Sequence, residues 1–525
     1  MRQGLGEETA TNSAPLLPPT AVERLRRRLL ATFTTAAVDA ALGPAGRDAL
    51  ARGDVDGVRH HLGADGPAQL TRLWLLGEPV PARTAERLLG IGVVDALSTA
   101  RMLRRGADEV VAQVQLRPYA AADAGAPAWW VLSDFGSDVR AGPLDPEHVL
   151  GIGTAALTLA HSTVREPVAT ALDIGTGCAV QALHLARHAG AVLATDVSDR
   201  ALRFAATTLA LSDVAAQLAR GSLLEPVGTR QFDLIVSNPP FVLSPGWSTG
   251  SGGYTYRDSG RPADELCRTL VAELPGRLRP GGRAQLLANW AVRDQDDLDQ
   301  PAAAVLSWLP HDPEVSAWVW QRELADPGEY IGLWLRDGGE QPGTTRWRQR
   351  YELWRRWFDS ESIVAVGMGL VSIGRDGVGH RVGEDVRQPL AQPTGWEVAG
   401  WFERAARLAQ LSDDQLARHA LRLRPDVTLE QISGPDTDSG WAPRQLTLRQ
   451  NDGMCWAVPT DAELARFLGG CDGRRTPRTL ADVLASALGL DPSTLLAALL
   501  PILRDLLQRG LLDFADQDRS PAGTG

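Results

Sequence analysis

Two short segments of the chain combine residue types that could do chemistry. Ala171–Gly177 reads Ala-Leu-Asp-Ile-Gly-Thr-Gly, and its glycines let the backbone approach a bound ligand closely where a buried strand ends. Phe232–Phe241 is an apolar run that ends in Asn-Pro-Pro-Phe, whose amide and carbonyl oxygens can accept hydrogen bonds from a planar NH2 group. The two segments predict transfer of a small group from a nucleotide-like cofactor to nitrogen.

The first segment has the features of a cofactor turn. A strand that ends at Asp173 and runs into Gly175 and Gly177 must turn sharply into a helix, whose first N–H groups are free. Val180 stands where a dinucleotide site has a small residue, and an acid before the glycines suits a cationic methionine moiety better than a pyrophosphate. These details favour S-adenosylmethionine over NAD, and Asp196, at the end of the next strand, is placed to accept the ribose hydroxyls. The alternative is a generic α/β turn in which Asp196 caps a helix.

The second segment could activate a planar nitrogen. An amide or an exocyclic aromatic amine is a poor nucleophile because its lone pair is delocalised. The Asn238 side-chain oxygen and the Pro239 carbonyl can accept its two hydrogens and favour the pyramidal form, and the prolines hold both acceptors in place. Phe241 offers a ring face for stacking, and no general base is required because the cationic product can lose its proton to water. The alternative is a strand that simply ends in a proline turn.

These residues can act together only if a sheet brings the ends of their strands to one edge. Strands and helices alternate after residue 140, which predicts an α/β core with a parallel sheet. Helices are predicted near 178–189, 199–210 and 263–278. The predicted strands are Ala169–Ile174, Ala191–Asp196, Ala215–Ala219, Phe232–Ser237, Ala284–Asn289, Val315–Trp320 and Ile363–Ile373.

Roughly residues 145–375 resemble the small-domain class I methyltransferases. The resemblance rests on Gly221-Ser-Leu-Leu-Glu-Pro, on Phe232–Phe241 with its Asn-Pro-Pro-Phe motif, and on Leu278-Arg-Pro-Gly-Gly before a strand. The family includes HemK-type release-factor glutamine N5-methyltransferases and ribosomal RNA guanine N2-methyltransferases. It implies a Rossmann-like seven-stranded core and the cofactor S-adenosyl-L-methionine. By motif, the cofactor would be held by Asp173, Gly175, Thr176, Gly177, Asp196, Ser222 and Asn238, and the acceptor by Asn238, Pro239 and Phe241; many relatives have Asp at the position of Ser222.

The rest of the chain predicts flanking units around this core. The predicted ranges are a disordered tail at 1–18, a helical and winged-helix-like N-terminal domain at 19–140, the methyltransferase domain at 141–385, and a mainly helical, winged-helix-like C-terminal domain at 396–520. In the N-terminal domain, Val110–Leu116 and Trp129–Ser133 are expected to pair as a ribbon across an Ala/Gly/Pro turn. Residues 375–400 are rich in Gly, Pro and Asp and read as a boundary.

Two segments are expected to border the site. The stretch that begins at His148 is expected to cover the cofactor, with Gly151 and Thr154 in contact. Residues 244–262 are rich in Gly and Ser, and they read either as a mobile lid over the acceptor or as a plain flexible loop.

Composition excludes several classes of function. All 53 basic residues are Arg, so no Walker A lysine or Schiff base is available. The net charge of −11 gives no overall attraction to nucleic acid. No apolar run predicts a membrane span or a signal peptide, and the four cysteines form no Cys-x-x-Cys pair, so we expect a reduced cytoplasmic protein. His184 and His188 lack the acid of a zinc motif, and no metal is predicted.

We therefore expect an S-adenosylmethionine-dependent N-methyltransferase that acts on a planar nitrogen. The acceptor is a protein glutamine amide or an exocyclic base amine of RNA, and the sequence leaves both open. Residues 346–358 carry aromatic residues at helical spacing between arginines, which indicates a core helix with a solvated side or an RNA contact. The alternative function is a nucleic-acid-binding or regulatory protein that uses the methyltransferase fold as a non-catalytic scaffold.

Overall fold

The N-terminal unit of the computed structural model consists of six helices and two short hairpins. The structure describes residues 14–120, 128–140, 142, 144–247, 253–300, 302–437 and 440–515. Side chains of Thr34, Asp54 and Asp65 cap the second, third and fourth helices. The elements are α1 (Pro19–Thr32), α2 (Thr35–Ala51, interrupted at Gly43), α3 (Val55–His61), α4 (Gly66–Trp74), β1 (Val80–Pro81), α5 (Ala82–Leu89), α6 (Ile91–Thr99), β2 (Leu103–Arg105), β3 (Glu109–Ala112), β4 (Gln115–Tyr119) and β5 (Trp129–Ser133).

The ribbon predicted from Val110–Leu116 and Trp129–Ser133 is two separate hairpins. β3 pairs with β2 and β1, whereas β4 pairs with β5. The division follows from packing, since β5 is buried along its whole length and lies against the core rather than in a wing. The predicted turn between its strands falls largely on residues 121–127, outside the described residues.

The central unit is an eight-stranded sheet in the order β13-β11-β12-β10-β9-β6-β7-β8. β12 runs antiparallel to β10 and β11, and the other neighbours are parallel. The elements are α7 (Thr154–Ser162), β6 (Val168–Ile174), α8 (Val180–Leu185), β7 (Ala189–Asp196), α9 (Asp199–Ser212), β8 (Gln217–Arg220), β9 (Phe232–Ser237), α10 (Glu265–Glu273), β10 (Leu278–Val292), α11 (Ala303–Ser307), β11 (Val315–Ala325), α12 (Pro327–Asp337), α13 (Thr345–Ser360), β12 (Ala365–Arg375) and β13 (Arg381–Asp385).

This sheet confirms the predicted Rossmann-like α/β fold and all seven predicted strands. It differs in having an eighth strand, β13, inside the stretch predicted to be a boundary. β13 is half-buried and follows a Gly-rich turn, so it lacks the apolar run that reveals a central strand. Two predicted helices are shorter than expected: α8 spans six residues, and α10 ends at Glu273.

The chain order of the strands places a crevice at one edge of the sheet. From β6 the chain proceeds outward to β7 and β8 and then returns to β9, on the other side of β6. The loops that follow β6 and β9 therefore diverge to opposite faces at the point where the strand order reverses. Ligands of open α/β sheets bind at such a switch point, outside the carboxyl ends of the strands.

The C-terminal unit is more mixed than the sequence predicts. Its helices are α14 (Gly395–Ala409), α15 (Asp413–Leu416), α16 (Ala462–Gly469), α17 (Pro477–Leu488) and α18 (Pro492–Gln508). Its strands are β14 (Leu421–Leu423), β15 (Val427–Asp436), β16 (Gly440–Gln450), β17 (Ala457–Thr460) and β18 (Leu512–Phe514). The long hairpin of β15 and β16 was not predicted, because about half of its residues are exposed and the alternation of apolar and polar residues is confined to short stretches such as Gln445–Arg449.

Two further predictions, for the N-terminal tail and for the Arg-rich helix, concern residues outside the sheet. Of the predicted tail, residues 1–13 are outside the described part, whereas Leu17 is buried and the Leu16 amide donates to Thr207 Oγ1 at 2.9 Å. Residues 16–17 therefore pack on the core. In α13, Trp354 and Phe358 are buried, which confirms the core face of the Arg-rich helix. Among the described residues, no helix has the length and apolar character needed to cross a bilayer.

Candidate functional site

The glycine turn after β6 is held against the end of the neighbouring strand. Gly175 and Gly177 have φ of +73° and +54°, the left-handed conformation that glycine adopts without strain. The Gly175 and Thr176 amides both donate to the Thr195 carbonyl, at 2.9 and 2.8 Å. The turn is therefore fixed in place by β7 before any ligand binds.

Two carboxylates shape this turn from different sides. Asp173 is fully buried, and its Oδ2 accepts the Thr176 hydroxyl at 2.6 Å. Burial raises the pKa of Asp173 to about 7. Asp196 accepts the Gly177 amide on Oδ2 and the Ser198 amide on Oδ1, each at 2.9 Å, and burial also raises its pKa. Asp173 thus supports the turn from beneath, while Asp196 stands beside it.

The end of β9 meets the glycine turn directly. The Ser237 hydroxyl donates to the Ile174 carbonyl at 2.9 Å, and a Cβ built on Gly175 would lie 4.0 Å from the Asn238 carbonyl oxygen. Asn238 is half-buried, and its side-chain Oδ1 is shielded from solvent and has no hydrogen-bond partner among the described residues. An unpaired acceptor therefore stands next to the cofactor turn.

A cavity of about 370 Å³ lies between these two strand ends. Seven predicted site residues line it: Gly175, Thr176, Gly177, Asp196, Ser222, Asn238 and Pro239. Asp173 and Phe241 are not part of its lining. The Phe241 ring instead packs edge-to-face on Trp334, with ring centroids 5.9 Å apart, so the predicted stacking surface is engaged with the protein core. Phe241 leaves the strand in an irregular segment, where sequence spacing does not fix the direction of a side chain.

The segment that begins at His148 forms another wall. His148 and Gly151 line the cavity, as does Gly153, whereas the predicted contact Thr154 does not. His148 is buried, and burial lowers its pKa, opposed by Asp134 at 3.9 Å. His148 was not predicted as a site residue, and a lone histidine before a helix gave no signal for it.

The predicted lid is anchored where the structure describes it. Its residues 248–252 lie outside the described residues, and we call residues 253–262 the cover segment. The Thr255 amide donates to the Pro146 carbonyl at 2.9 Å, and the Tyr256 hydroxyl donates to Asp337 Oδ2 at 2.9 Å. Thr255, Tyr256 and Asp258 line the cavity. The tyrosines within a Gly/Ser-rich stretch were the available signal that this segment packs.

The donor set suits S-adenosylmethionine better than a metal. A side chain at Gly177 would meet no atom within 4 Å, so the turn leaves room for a ligand against the backbone. Asp196 beside the turn has carboxylate oxygens that could also accept hydroxyl groups, and Asp173 lies buried beneath it, where a cationic ligand would favour its ionised form. No group of three His, Cys, Asp or Glu side chains able to hold a metal occurs in the described part of the chain.

Comparisons with known proteins match three segments. Residues 148–249 match the methyltransferase small domain. Residues 30–113 and 399–513 match two domains of unknown function, DUF7059 and DUF7782.

Three curated relatives each match between 21% and 27% of the chain. Ribosomal RNA small subunit methyltransferase C of Alcanivorax borkumensis is 32% identical over 118 residues, which is 22% of this chain and 31% of that protein. Release factor glutamine methyltransferase of Deinococcus radiodurans is 36% identical over 118 residues, covering 21% and 42%. Ribosomal protein uL3 glutamine methyltransferase of Bradyrhizobium diazoefficiens is 31% identical over 150 residues, covering 27% and 46%. The chain spans less than half the length of these relatives.

Among solved structures, a T. Thermophilus 16S rRNA N2 G1207 methyltransferase in complex with AdoMet and guanosine has 18% identity and a TM-score of 0.24, over 47% of this chain and 62% of that one.

The strand order, the crevice at the switch point and the match over residues 148–249 lead to one assignment. The core of this chain is a class I methyltransferase fold that carries a methyltransferase small domain.

Proposed function

We propose that this chain is an S-adenosyl-L-methionine-dependent N-methyltransferase that acts on a planar nitrogen. The observation that carries the proposal is Asn238 Oδ1, a solvent-shielded acceptor without a partner on the wall of the cavity that the glycine turn also lines. Leaving such an acceptor unpaired is costly, and an N–H donor of the substrate removes that cost. Relatives that methylate rRNA and release factor glutamine support the same chemistry.

The cofactor side of the cavity is the half nearest β7 and β8. Asp196 would accept the ribose hydroxyls, Ser222 at the end of β8 would border the adenine, and the glycine turn would approach the methionine portion. Asp173 lies beneath the turn with a pKa raised to about 7, so a cationic ligand at the turn would favour its ionised form. When bound, the cofactor supplies an electrophilic methyl group on a sulfonium.

The acceptor side is the end of β9. Asn238 Oδ1 and the Pro239 carbonyl would accept the two hydrogens of the NH2 group, so that its lone pair points toward the cofactor. The amine nitrogen would accept the methyl group that the cofactor supplies when bound, the sulfur would retain the electron pair of the carbon–sulfur bond, and the methylated product would release one proton to water. Positioning is the main contribution of the protein to this reaction.

The acceptor is proposed to be a protein amide or an RNA base amine. Relatives of both kinds match this chain at similar identity, 31–36%. The net charge of −11 disfavours RNA over a protein partner, unless a local patch of arginines contacts it.

The first experiment measures methyl transfer by the wild type and by Asn238→Ala. Both are incubated with methyl-labelled cofactor and a methylation-naive lysate, and the products are divided between protease and RNase. We expect N238A to lose about 100-fold or more of the transfer, while its cofactor affinity by calorimetry stays within about twofold. Label removed only by protease identifies a protein acceptor, and label removed only by RNase identifies RNA.

The same substitution at Asn451 is the control, because Asn451 binds Asp426 in the C-terminal unit and is not part of the cavity lining. N451A should transfer normally. Unchanged turnover in N238A would contradict the assigned role of Asn238, and a wild type that neither binds the cofactor nor transfers label would refute the enzyme.

A further inference from the structure

The cover segment lies on the acceptor side of the cavity. The Val242 amide donates to the Arg257 carbonyl at 3.4 Å, and the Ala263 amide donates to the Ser244 carbonyl at 2.9 Å. The segment therefore runs beside the chain that leaves β9 through Asn238. Farther along, Asp264 Oδ2 accepts the Ala291 amide of β10 at 3.0 Å. Asp196 and Ser222, by contrast, stand at the ends of β7 and β8, on the other side of β6.

Within this segment, Asp258 has one carboxylate oxygen engaged and one free. The residue is 5% exposed and lines the cavity. Oδ2 accepts the Tyr254 amide at 2.9 Å and the Arg257 Nε and Nη2 at 3.2 and 3.1 Å. Oδ1 is shielded from solvent and has no hydrogen-bond partner among the described residues.

The orientation of this carboxylate is fixed by its neighbours. Arg257 is 2% exposed, donates through Nη1 to the Trp334 carbonyl at 2.7 Å, and lies over the Tyr254 ring at 4.8 Å. Because three donors hold Oδ2, the side chain cannot turn to satisfy Oδ1 without losing them. The free oxygen is therefore a fixed, unpaired hydrogen-bond acceptor on a residue that lines the cavity.

We infer that Asp258 is a specificity-determining residue, whose Oδ1 accepts an N–H of the methyl acceptor next to the nitrogen that is methylated. This inference rests on the proposed function. Asn238 and Pro239 provide acceptors for the amine itself, so a further acceptor on the same side of the cavity requires a further donor from the substrate. A carboxylate makes a strong charge-assisted bond to such a donor.

The atom next to the methylated amine, an N–H donor or a lone pair, then decides which acceptor binds. An amine flanked by a ring or peptide N–H satisfies Asp258. An amine flanked by a ring-nitrogen lone pair, as in adenine and cytosine, presents that lone pair to Oδ1 and is repelled. The acceptor is thus a planar nitrogen flanked by a donor, and adenine and cytosine amines are excluded.

Isocytosine and cytosine test this selection because they are isomers of equal size. The amine is flanked by a ring N–H in isocytosine and by a ring lone pair in cytosine. Saturation-transfer NMR titrations would compare them on the full chain, with and without S-adenosylhomocysteine. We expect the wild type to bind isocytosine at least about tenfold more tightly.

Asp258→Asn should reverse the preference. In D258N the retained oxygen keeps the bonds from Tyr254 and Arg257, so the introduced NH2 replaces the free acceptor by a donor. We expect D258N to bind cytosine more tightly than isocytosine and to show unchanged affinity for S-adenosylhomocysteine. Equal binding of the isomers by the wild type, or an isocytosine preference retained in D258N, would overturn the inference.

Asp264→Asn is the matched control. Asp264 is 4% exposed on the same stretch of chain, but both of its oxygens have partners within the protein, Ala291 and Arg268, and it does not line the cavity. D264N should keep the isocytosine preference, whatever its effect on the melting temperature. A preference for isocytosine without methyl transfer would refute the proposed function alone, whereas transfer without any preference would refute the role of Asp258 alone.

Discussion

At the scale of single residues, the cofactor turn can be tested at Gly177, because Gly228 has the same φ and serves as its control. Gly177 and Gly228 both have φ of +54°, and a Cβ at either meets no atom within 4 Å. Only Gly177 lines the cavity. Alanine is strained at both positions, and at Gly228, where ψ is −121°, it should cost at least as much stability as at Gly177. A loss of ligand affinity in the Gly177 variant alone therefore arises from the cavity.

We expect Gly177→Ala to weaken S-adenosylmethionine binding at least about tenfold, equivalent to about 1.4 kcal/mol, because the methyl group stands where the turn approaches the ligand. Gly228→Ala should bind as the wild type does. Calorimetric titration gives the affinities, and thermal melts should show a loss of stability in both variants that is at least as large for Gly228→Ala. Equal affinities in the two variants would remove the glycine turn from the cofactor site.

Most of the site residues that the sequence predicted line the cavity, but the sequence did not predict the direction of every side chain. Residues at or next to strand ends, such as Asp196 and Asn238, were predicted to face the crevice and do line it, because parallel strands end at one edge. Phe241 and Asp258 lie in irregular chain, where the partners Trp334 and Arg257 decide orientation. Those contacts join residues that are distant in sequence or locked by tertiary packing, so no spacing rule predicts them.

At the scale of elements, α8 connects the glycine turn to the N-terminal unit through a buried histidine. His184 Nε2 lies 2.7 Å from the Tyr119 hydroxyl of β4, and Nδ1 lies 3.2 Å from Arg165 Nη2. Since Arg only donates, Nδ1 accepts and Nε2 carries the proton. Burial, together with the positive charge of Arg165, lowers the pKa of His184 to about 3.

This histidine should make the fold sensitive to acid. In the unfolded chain His184 binds a proton near pH 6.5, whereas in the folded chain it does so only near pH 3. Its contribution to the free energy of unfolding is therefore present above pH 6.5 and is lost as pH falls toward 3. The loss between pH 6.5 and 5 is about 2 kcal/mol. Asp173 acts in the opposite direction, because its raised pKa makes its contribution full below 3.8 and lost as pH rises through about 7.

Substitution of His184 separates its contribution to the pH dependence of stability from that of other groups such as Asp173. We expect His184→Gln to be less stable than the wild type at pH 7 but to lose about 2 kcal/mol less between pH 6.5 and 5, measured by urea unfolding. The same substitution at the exposed His311 should leave the wild-type slope in place. Parallel pH curves for H184Q and the wild type would mean that His184 does not titrate as its burial requires.

Burial also explains which elements the sequence predicted. β9 was predicted with its observed bounds because every residue from Leu234 to Ser237 is buried, and such strands are near-continuous apolar runs. β13 and the hairpin of β15 and β16 have mostly half-buried or exposed residues, and apolar and polar residues alternate only over short stretches such as Gln445–Arg449. Pairing with neighbouring strands, rather than side-chain burial, holds these elements in place.

At the scale of the whole molecule, both flanking units share buried contacts with the methyltransferase core. In the N-terminal unit, the Leu132 amide of β5 donates to Thr208 Oγ1 of α9 at 3.0 Å. In the C-terminal unit, Trp401 of α14 stacks on Trp318 of β11, with ring centroids 5.1 Å apart and planes 5° apart. The flanking units are therefore expected to unfold together with the sheet rather than independently.

The Trp401–Trp318 stack allows a test of whether the C-terminal unit unfolds together with the sheet. Both rings are 1% exposed, and truncating a buried tryptophan costs about 3–5 kcal/mol, so Trp401→Ala should lower the melting temperature of the entire chain. Scanning calorimetry should show one transition, shifted as a whole, with faster hydrogen exchange in β11 as well as in α14. Trp441→Ala is the matched control, since Trp441 is 70% exposed on the β15–β16 hairpin, and it should leave the transition unchanged. Two separate transitions, of which only the C-terminal one moves, would instead show that the C-terminal unit folds on its own and is merely attached to the sheet that bears the cavity.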